Sequence, residues 1–145
     1  MKLIYLDSSA IVKLYVDEAF SIEVETLFRG ADQVLCHGIG YIEVRAALAA
    51  ARRFGRIDPA DYQAIVSDFR GDWSSYSTLG LDDKLTERAA ELAEGFALRG
   101  YDSVHLASAD RVRLARPGMT FISFDKALNQ AAKLLGLSLP DFAPY

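Results

Sequence analysis

Short apolar runs alternate with longer helical stretches along the whole chain. Residues 2–6 form an apolar run that ends at Asp7, and residues 119–124 form another that ends at Asp125. Both are typical of buried strands, because strands covered on two faces lose the alternation of polar and apolar positions. Further strands are predicted at residues 33–36, 76–81 and 137–139.

The segments between these strands have helical spacing. Asp58 and Pro59 are typical of a helix start, because Asp caps free backbone amides and proline fits the first helical position. Glycine is typical of a helix end, and Gly71 is predicted to end the helix that Pro59 begins. Helices are predicted at residues 10–15, 18–28, 41–54, 59–70, 82–98, 102–115 and 125–135. The alternation predicts one α/β domain over residues 1–145, with a parallel sheet and helices on both faces.

Composition narrows the class of protein. The chain has 145 residues, of which 51% are hydrophobic and 25% charged, as in an ordinary globular domain. The apolar start is too short for a signal-peptide core, no run is long enough to cross a bilayer, and a cytoplasmic location is expected. The single Cys36 excludes an internal disulfide and a metal site built on a cysteine pair.

The charge balance argues against one way of binding nucleic acid. The net charge is −4 and the pI is about 5.1. Such a chain is not expected to bind nucleic acid non-specifically through overall positive charge. An enzyme that uses a local basic patch and bound cations is still compatible with it.

Two aspartates follow predicted strands directly. In a parallel sheet, ligands bind beyond the carboxyl ends of the strands, so Asp7 and Asp125 are expected at that functional edge. An N-cap role for the following helix is an equally good interpretation of each. Asp102 comes after Gly100 and Tyr101 at a predicted helix start, and the cap interpretation is stronger there.

Glu43 is unusual for its predicted helix face. The other residues on that face are apolar: Ala46, Ala47, Ala50 and Phe54. A buried carboxylate is costly unless a cation, a metal or hydrogen-bond donors receive it. The alternative is a solvated Glu in the first turn, where the helix dipole favours negative charge.

The four carboxylates together suggest divalent-metal chemistry. Mg²⁺ and Mn²⁺ prefer oxygen ligands, and bound ions let several carboxylates stay ionised in one pocket. Such ions orient and activate water and stabilise charge on a phosphodiester. The chain has no G-x-S-x-G elbow, no P-loop, no G-x-G-x-x-G after a strand and only two histidines.

Four segments resemble the PIN-domain ribonucleases, and within them the VapC-type toxins of toxin–antitoxin pairs. They are YLDSSAIVKLY at residues 5–15, IEVRAAL at 42–48, GYDSVHLASA at 100–109 and FISFDKAL at 121–128. Their order and spacing agree with the family over nearly the whole chain. One departure is Tyr41, which stands where many relatives have a small hydroxyl residue.

The resemblance implies a fold, an activity and partners. It implies a parallel sheet of about five strands, and one or two Mg²⁺ or Mn²⁺ ions held by Asp7, Glu43, Asp102 and Asp125. It implies cleavage of RNA, a homodimer, and inhibition by a VapB-like antitoxin in a heterotetramer or larger assembly. In this family an antitoxin segment often fills the active-site groove, sometimes with a basic side chain near the carboxylates.

Several polar residues have two interpretations. Ser8, Ser9 and Ser123 are candidates for contacts with a metal-bound water, an Asp7 oxygen or substrate, or for capping and local hydrogen bonding. His105 is interpreted as a partly buried structural residue, and His37 receives no role. Candidates for phosphate contacts or plain surface charge are Lys13, Lys126 and a predicted helical face of Arg45, Arg52 and Arg56.

Other functions fit the residues less well. A receiver-like signalling module needs an acidic pair after the first strand, but Asp7 has no acidic neighbour; Asp82 and Asp83 are the candidates for its phospho-acceptor. An Asp-x-Asp phosphatase needs an aspartate where Ser9 stands. A PIN fold that only binds a partner is disfavoured by the complete set of carboxylates, and a PIN nuclease of RNA processing without an antitoxin stays open.

Overall fold

The predicted apolar runs form one parallel sheet. A computed structural model describes residues 1–145, and the sheet has four strands in the order β3-β2-β1-β4. Every pair is parallel, and the central strand β1 pairs with β2 on one side and with β4 on the other. The strands are β1 Leu3–Leu6, β2 Gln33–His37, β3 Ser77–Leu79 and β4 Thr120–Ile122.

Helices connect the strands and cover both faces of the sheet, as the alternating pattern predicts. They are α1 Ser8–Val12, α2 Ser21–Gly30, α3 Ile39–Arg53, α4 Pro59–Trp73, α5 Asp83–Phe96, α6 Gly100–Ala115 and α7 Lys126–Leu135. None of them is both long and apolar enough to cross a membrane.

The alternating side chains of β1 divide the core into two layers. Leu3 and Tyr5 belong to a buried cluster that also contains residues of α5, α6 and α7. Ile4 and Leu6 belong to a second cluster, which contains residues of α1 to α4. The central strand is therefore buried on both sides, which is why its sequence is continuously apolar.

Several element boundaries differ from the predictions by a few residues, for example those of α1 and α2, and three differences concern the sheet or the helices α4 and α6. The segment expected as a fifth strand makes only a single parallel bridge, in which the Phe121 amide donates to the Ser138 carbonyl at 2.8 Å. Gly71 does not end α4, which continues to Trp73. Helix α6 begins at Gly100, so Arg99 is its N-cap and Asp102 lies inside the first turn; the cap interpretation of Asp102 is wrong.

Candidate active site

Asp7 lies directly after β1 and is buried, with 3% of its surface exposed. It caps α1, since its Oδ1 accepts from the Ala10 amide at 3.0 Å and from the Ser9 hydroxyl at 2.6 Å. Its Oδ2 accepts from the Ser123 hydroxyl at 2.5 Å. Burial raises the pKa of Asp7, and the hydrogen bonds from Ser123, Ser9 and Ala10 offset part of the rise.

Ser123 connects Asp7 to the next aspartate along the sheet edge. Its hydroxyl donates to Asp7 and accepts from the Asp125 amide at 3.1 Å. Asp125 caps α7 by accepting from the Leu128 amide through Oδ1 at 2.8 Å. Asp7 and Asp125 each cap a helix and each follow the carboxyl end of a strand, which are the positions predicted for them.

Arg99 joins two of the carboxylates. Its Nε donates to Asp102 Oδ2 at 3.0 Å, and a terminal nitrogen donates to Asp125 Oδ2 at 3.2 Å. The Arg99 side chain is 63% exposed and lies over the Tyr101 ring. Burial raises the pKa of Asp102, and the guanidinium of Arg99 acts against that rise.

Glu43 is the fifth residue of α3, which follows β2, and it contacts a histidine of α6. Its Oε1 is 2.6 Å from His105 Nε2, and His105 Nδ1 is 2.8 Å from the Tyr5 hydroxyl. The His105 side chain is 1% exposed, while that of Glu43 is 20% exposed. His105 is thus a fully buried residue in direct contact with a predicted site carboxylate.

Gly40 allows α3 to begin this close to the sheet. A Cβ at this position would overlap the Cys36 sulfur and lie within 3.7 Å of the His105 ring. Any side chain would therefore push the start of α3, and with it Glu43, away from β2 and α6. Gly40 is the second residue of α3.

The four carboxylates are thus connected. Asp7, Ser123, Asp125, Arg99 and Asp102 form one continuous chain of hydrogen bonds. Glu43 is attached to the same helix as Asp102, through His105. Four negative side chains share a single guanidinium and one histidine, an arrangement that attracts cations.

The sequence matches the family model described as PIN domain over residues 4–134. The chain belongs to the PIN-domain family. Ribonuclease VapC45 from Mycobacterium tuberculosis is 36% identical over 136 residues, which cover 94% of this chain and 93% of that protein. The resemblance found in the four sequence segments is confirmed, and the chain is a PIN-domain protein of the VapC type.

Solved structures agree on the PIN fold. PAE2754 from Pyrobaculum aerophilum has a TM-score of 0.66 at 22% identity, covering 95% of this chain and 90% of that one. A chain of a toxin–antitoxin complex from Klebsiella pneumoniae has a TM-score of 0.60 at 15% identity, covering 85% and 87%.

The reason given for Glu43 from its helical face is wrong for this PIN domain. The buried stripe of α3 consists of Gly40, Val44, Leu48 and Ala51, not of the residues in register with Glu43. Ala46 is exposed and Phe54 is 77% exposed. Glu43 is next to Val44 of the buried stripe and is partly exposed, and its carboxylate reaches inward to His105.

The predicted site carboxylates are oxygen ligands of the kind that a hard divalent cation prefers, but two of them contact a guanidinium. Asp102 and Asp125 already share one cationic group, Arg99. No group of three or more acidic, histidine or cysteine side chains is arranged to hold a metal ion as the side chains stand. Metal binding at this site therefore requires the exposed Arg99 side chain to move away.

Some of the other residues that were predicted to contact the site do so, and others do not. Ser9 and Ser123 contact Asp7, whereas Ser8 makes no such hydrogen bond and starts α1. Lys13 pairs with Glu18 at 3.0 Å rather than with a site carboxylate. Lys126 is exposed at the start of α7.

The predicted arginine face does not exist as one surface. Arg56 lies beyond the end of α3 and pairs with Glu18, while Arg52 lies over the Tyr62 ring. Arg45 donates to the Tyr41 hydroxyl at 2.9 Å, so Tyr41 does not take over the small hydroxyl's place beside Glu43.

Sequence reasoning missed Arg99 and underestimated His105. Arg99 is three residues before Asp102, and His105 is three residues after it. Both spacings place side chains next to one another on a helix surface. That spacing was the available signal, but it does not show that Arg99 also reaches Asp125 or that His105 reaches Glu43.

Proposed function

We propose that residues 1–145 form one PIN domain that cleaves RNA phosphodiesters as a divalent-metal-dependent endoribonuclease. The observation that supports this best is the connected set of acidic side chains at the carboxyl edge of the sheet, with the exposed Arg99 beside two of them. The catalytic and metal-binding residues in this proposal are Asp7, Glu43, Asp102 and Asp125.

In this proposal Mg²⁺, or Mn²⁺, supplies a Lewis acid that lowers the pKa of water and stabilises charge on the scissile phosphate. The chain supplies the carboxylate oxygens and fixes their directions. Ser9 and Ser123 hold Asp7 from both sides, so that its orientation is set before any ligand arrives. Arg99 is exposed beside two carboxylates and is free to move onto a phosphate oxygen when they take up a cation.

We further propose that the protein acts as the toxin of a toxin–antitoxin pair, with a VapB-like antitoxin and a homodimer as its assembly. The name of Ribonuclease VapC45 and the fold shared with the Klebsiella pneumoniae toxin–antitoxin complex support this extension. The acidic site predicts that an inhibitory segment carries a basic side chain, which would meet the same carboxylates as Arg99 does.

A receiver-like signalling role gains no support from the structure. Asp82, a candidate phospho-acceptor, caps α5 and is held by Arg111 through two contacts of 2.7 and 2.9 Å. Its partners keep the pKa of this carboxyl well below its usual range. Such a residue is an ion-paired helix cap rather than an accessible nucleophile.

The activity is tested by incubating the purified protein with mixed cellular RNA and Mg²⁺ or Mn²⁺, with and without a chelator. Wild-type protein is expected to cleave only with metal, and Asp7→Asn and Asp102→Asn are expected to lose cleavage. Asp61→Asn, an exposed aspartate on α4, serves as the matched control and should cleave normally. Cleavage that survives the chelator or either site substitution would contradict the mechanism.

The toxin assignment has its own test. A short open reading frame immediately upstream would encode the candidate antitoxin, and its co-expression is expected to relieve growth arrest caused by the protein. An active nuclease that causes no arrest and has no such neighbour would instead be a PIN nuclease of RNA processing.

A further inference from the structure

His105 is enclosed in the core although both of its ring nitrogens are polar. The ring contacts Glu43 on one side and the Tyr5 hydroxyl on the other, at 2.6 and 2.8 Å. Tyr5 is itself fully buried, and its ring packs edge-on against the histidine. Leucine in place of His105 and phenylalanine in place of Tyr5 would fill the same space without burying polar atoms.

One assignment of donors satisfies every contact of the ring in its neutral form. The His37 amide donates to the Tyr5 oxygen at 3.1 Å, and the phenolic proton is then available for donation to His105 Nδ1. A neutral ring that accepts at Nδ1 carries its proton on Nε2. An ionised Glu43 can only accept, so the ring donates to it through Nε2.

We propose that Tyr5 and His105 form a buried positioning relay that fixes the Glu43 carboxylate for cation binding. The inference rests on the proposed function, and it assigns His105 a role in place of the structural one expected from the sequence. Glu43 Oε1 is held by the histidine, while no side chain or amide contacts Oε2 in the structure. The relay thus leaves one oxygen of Glu43 available at the acidic edge.

Tyr5, His105 and Glu43 come from three different elements of the fold. Tyr5 is two residues before Asp7 on the central strand, and His105 is one turn after Asp102 on α6. Glu43 comes from a third element, α3, whose Gly40 lies close to Cys36 of β2. The relay therefore ties the carboxylate of α3 to the two elements that carry two other carboxylates.

The first test uses the metal-free protein and needs no activity. Nitrogen chemical shifts of the imidazole are expected to show a proton on Nε2 and a hydrogen-bonded, unprotonated Nδ1 at neutral pH. Tyr5→Phe should shift the Nδ1 signal, and Glu43→Ala should speed exchange of the Nε2 proton. A neutral ring protonated on Nδ1 alone would overturn the proposal, because it cannot donate to Glu43.

The second test measures Mn²⁺ affinity and RNA cleavage in folded variants. His105→Leu is expected to weaken Mn²⁺ binding by about 10- to 100-fold, the usual cost of losing a partner that orients a ligand. At saturating RNA and fixed metal, kcat should fall while KM for RNA stays unchanged. His105→Gln, which keeps an N–H donor, should recover part of both losses.

Tyr5→Phe keeps the inference falsifiable should His105→Leu fail to fold. It removes one hydroxyl, and we expect Mn²⁺ affinity to fall by about threefold, less than for the histidine itself. Tyr76→Phe is the matched control, because the Tyr76 hydroxyl is also buried but has no hydrogen-bond partner. Wild-type Mn²⁺ affinity in Tyr5→Phe would by itself overturn the relay.

The two proposals fail in different ways. A wild-type protein that neither binds Mn²⁺ nor cleaves RNA contradicts the proposed function, and the imidazole shifts then still decide whether His105 donates to Glu43. A wild-type protein that cleaves RNA with metal, together with relay variants of unchanged metal affinity, contradicts only the relay.

Discussion

Helix α6 carries two aspartates with arginine partners, and their surroundings differ. Asp110 has a side-chain exposure of 4% and accepts from both Arg88 and Arg113, at 3.2 and 2.6 Å. Asp102 has an exposure of 13% and shares its single arginine, Arg99, with Asp125. One carboxylate has two cations, whereas the other belongs to a pair with one cation.

The difference indicates that Asp110 belongs to a structural ion pair, whereas Asp102 belongs to the candidate site. A buried charge lowers the stability of a fold unless opposite charge compensates it. Around Asp110 the compensation is complete, and no further ligand is called for. At the Asp102 end, negative charge exceeds positive charge, and such an excess is typical of groups that receive a ligand.

The largest expected difference between the two ends is in catalysis. Asp102→Asn should lower RNA cleavage by about 100-fold or more, because a metal site contributes several kcal/mol to transition-state stabilisation. The melting temperature should change little, since the ion pair that is lost has an exposed arginine. Single-turnover cleavage and thermal unfolding of the same preparation measure both effects. A hundredfold loss that accompanies unfolding would not support a role in the site.

The opposite pattern is expected for Asp110→Asn. It removes charge-assisted hydrogen bonds from two arginines, and the free energy of unfolding should fall by about 2 kcal/mol. Cleavage per folded molecule should be unchanged. Urea unfolding and cleavage under native conditions check this. A loss of activity without a loss of stability would contradict a purely structural role for Asp110.

Arg99→Gln tests whether the guanidinium competes with a divalent cation for Asp102 and Asp125. The guanidinium occupies the carboxylates that a divalent ion would use, so its removal should tighten Mn²⁺ binding by about 3- to 10-fold, roughly 1 kcal/mol. Cleavage should not improve in parallel, because the arginine is proposed to meet phosphate. Arg116→Gln, at an exposed arginine beyond the end of α6, is the control. Weaker Mn²⁺ binding in Arg99→Gln would contradict this view.

The smallest effect concerns the stability of the metal-free protein. Burial raises the pKa of Asp7, so its ionised form lowers the stability of the folded state at neutral pH. Asp7→Asn should therefore raise the melting temperature by a few degrees at pH 7 in the presence of chelator. The gain should disappear as the pH falls to the ordinary aspartate pKa of about 4, where the wild-type residue is also neutral. A gain that grows on acidification would contradict the assigned shift.

The fold could be predicted from the sequence because its main signal is local. The apolar runs before Asp7 and Asp125 are strands, and the Asp58–Pro59 start of α4 is where it was expected. Helix ends were predicted less well. Gly71 did not end α4, because Phe69 and Trp73 on either side of it pack against each other and against Tyr41.

The site could be predicted only as a set of residues. Strand ends placed Asp7 and Asp125, but Glu43 was selected through a helical face that is not buried, since Ala46 and Phe54 on it are exposed. The contacts that connect the carboxylates join residues 26 apart for Arg99 and Asp125, 62 apart for Glu43 and His105, and 116 apart for Asp7 and Ser123. Helical and strand periodicities carry no information at such separations.

Mn²⁺ binding followed by electron paramagnetic resonance tests the central claim most directly. We expect the wild-type protein and Asp110→Asn to bind Mn²⁺ alike, while Asp102→Asn and Asp125→Asn bind it at least tenfold more weakly. Equal Mn²⁺ affinity in all four proteins, each shown to be folded, would contradict a cation site at the acidic edge of the sheet.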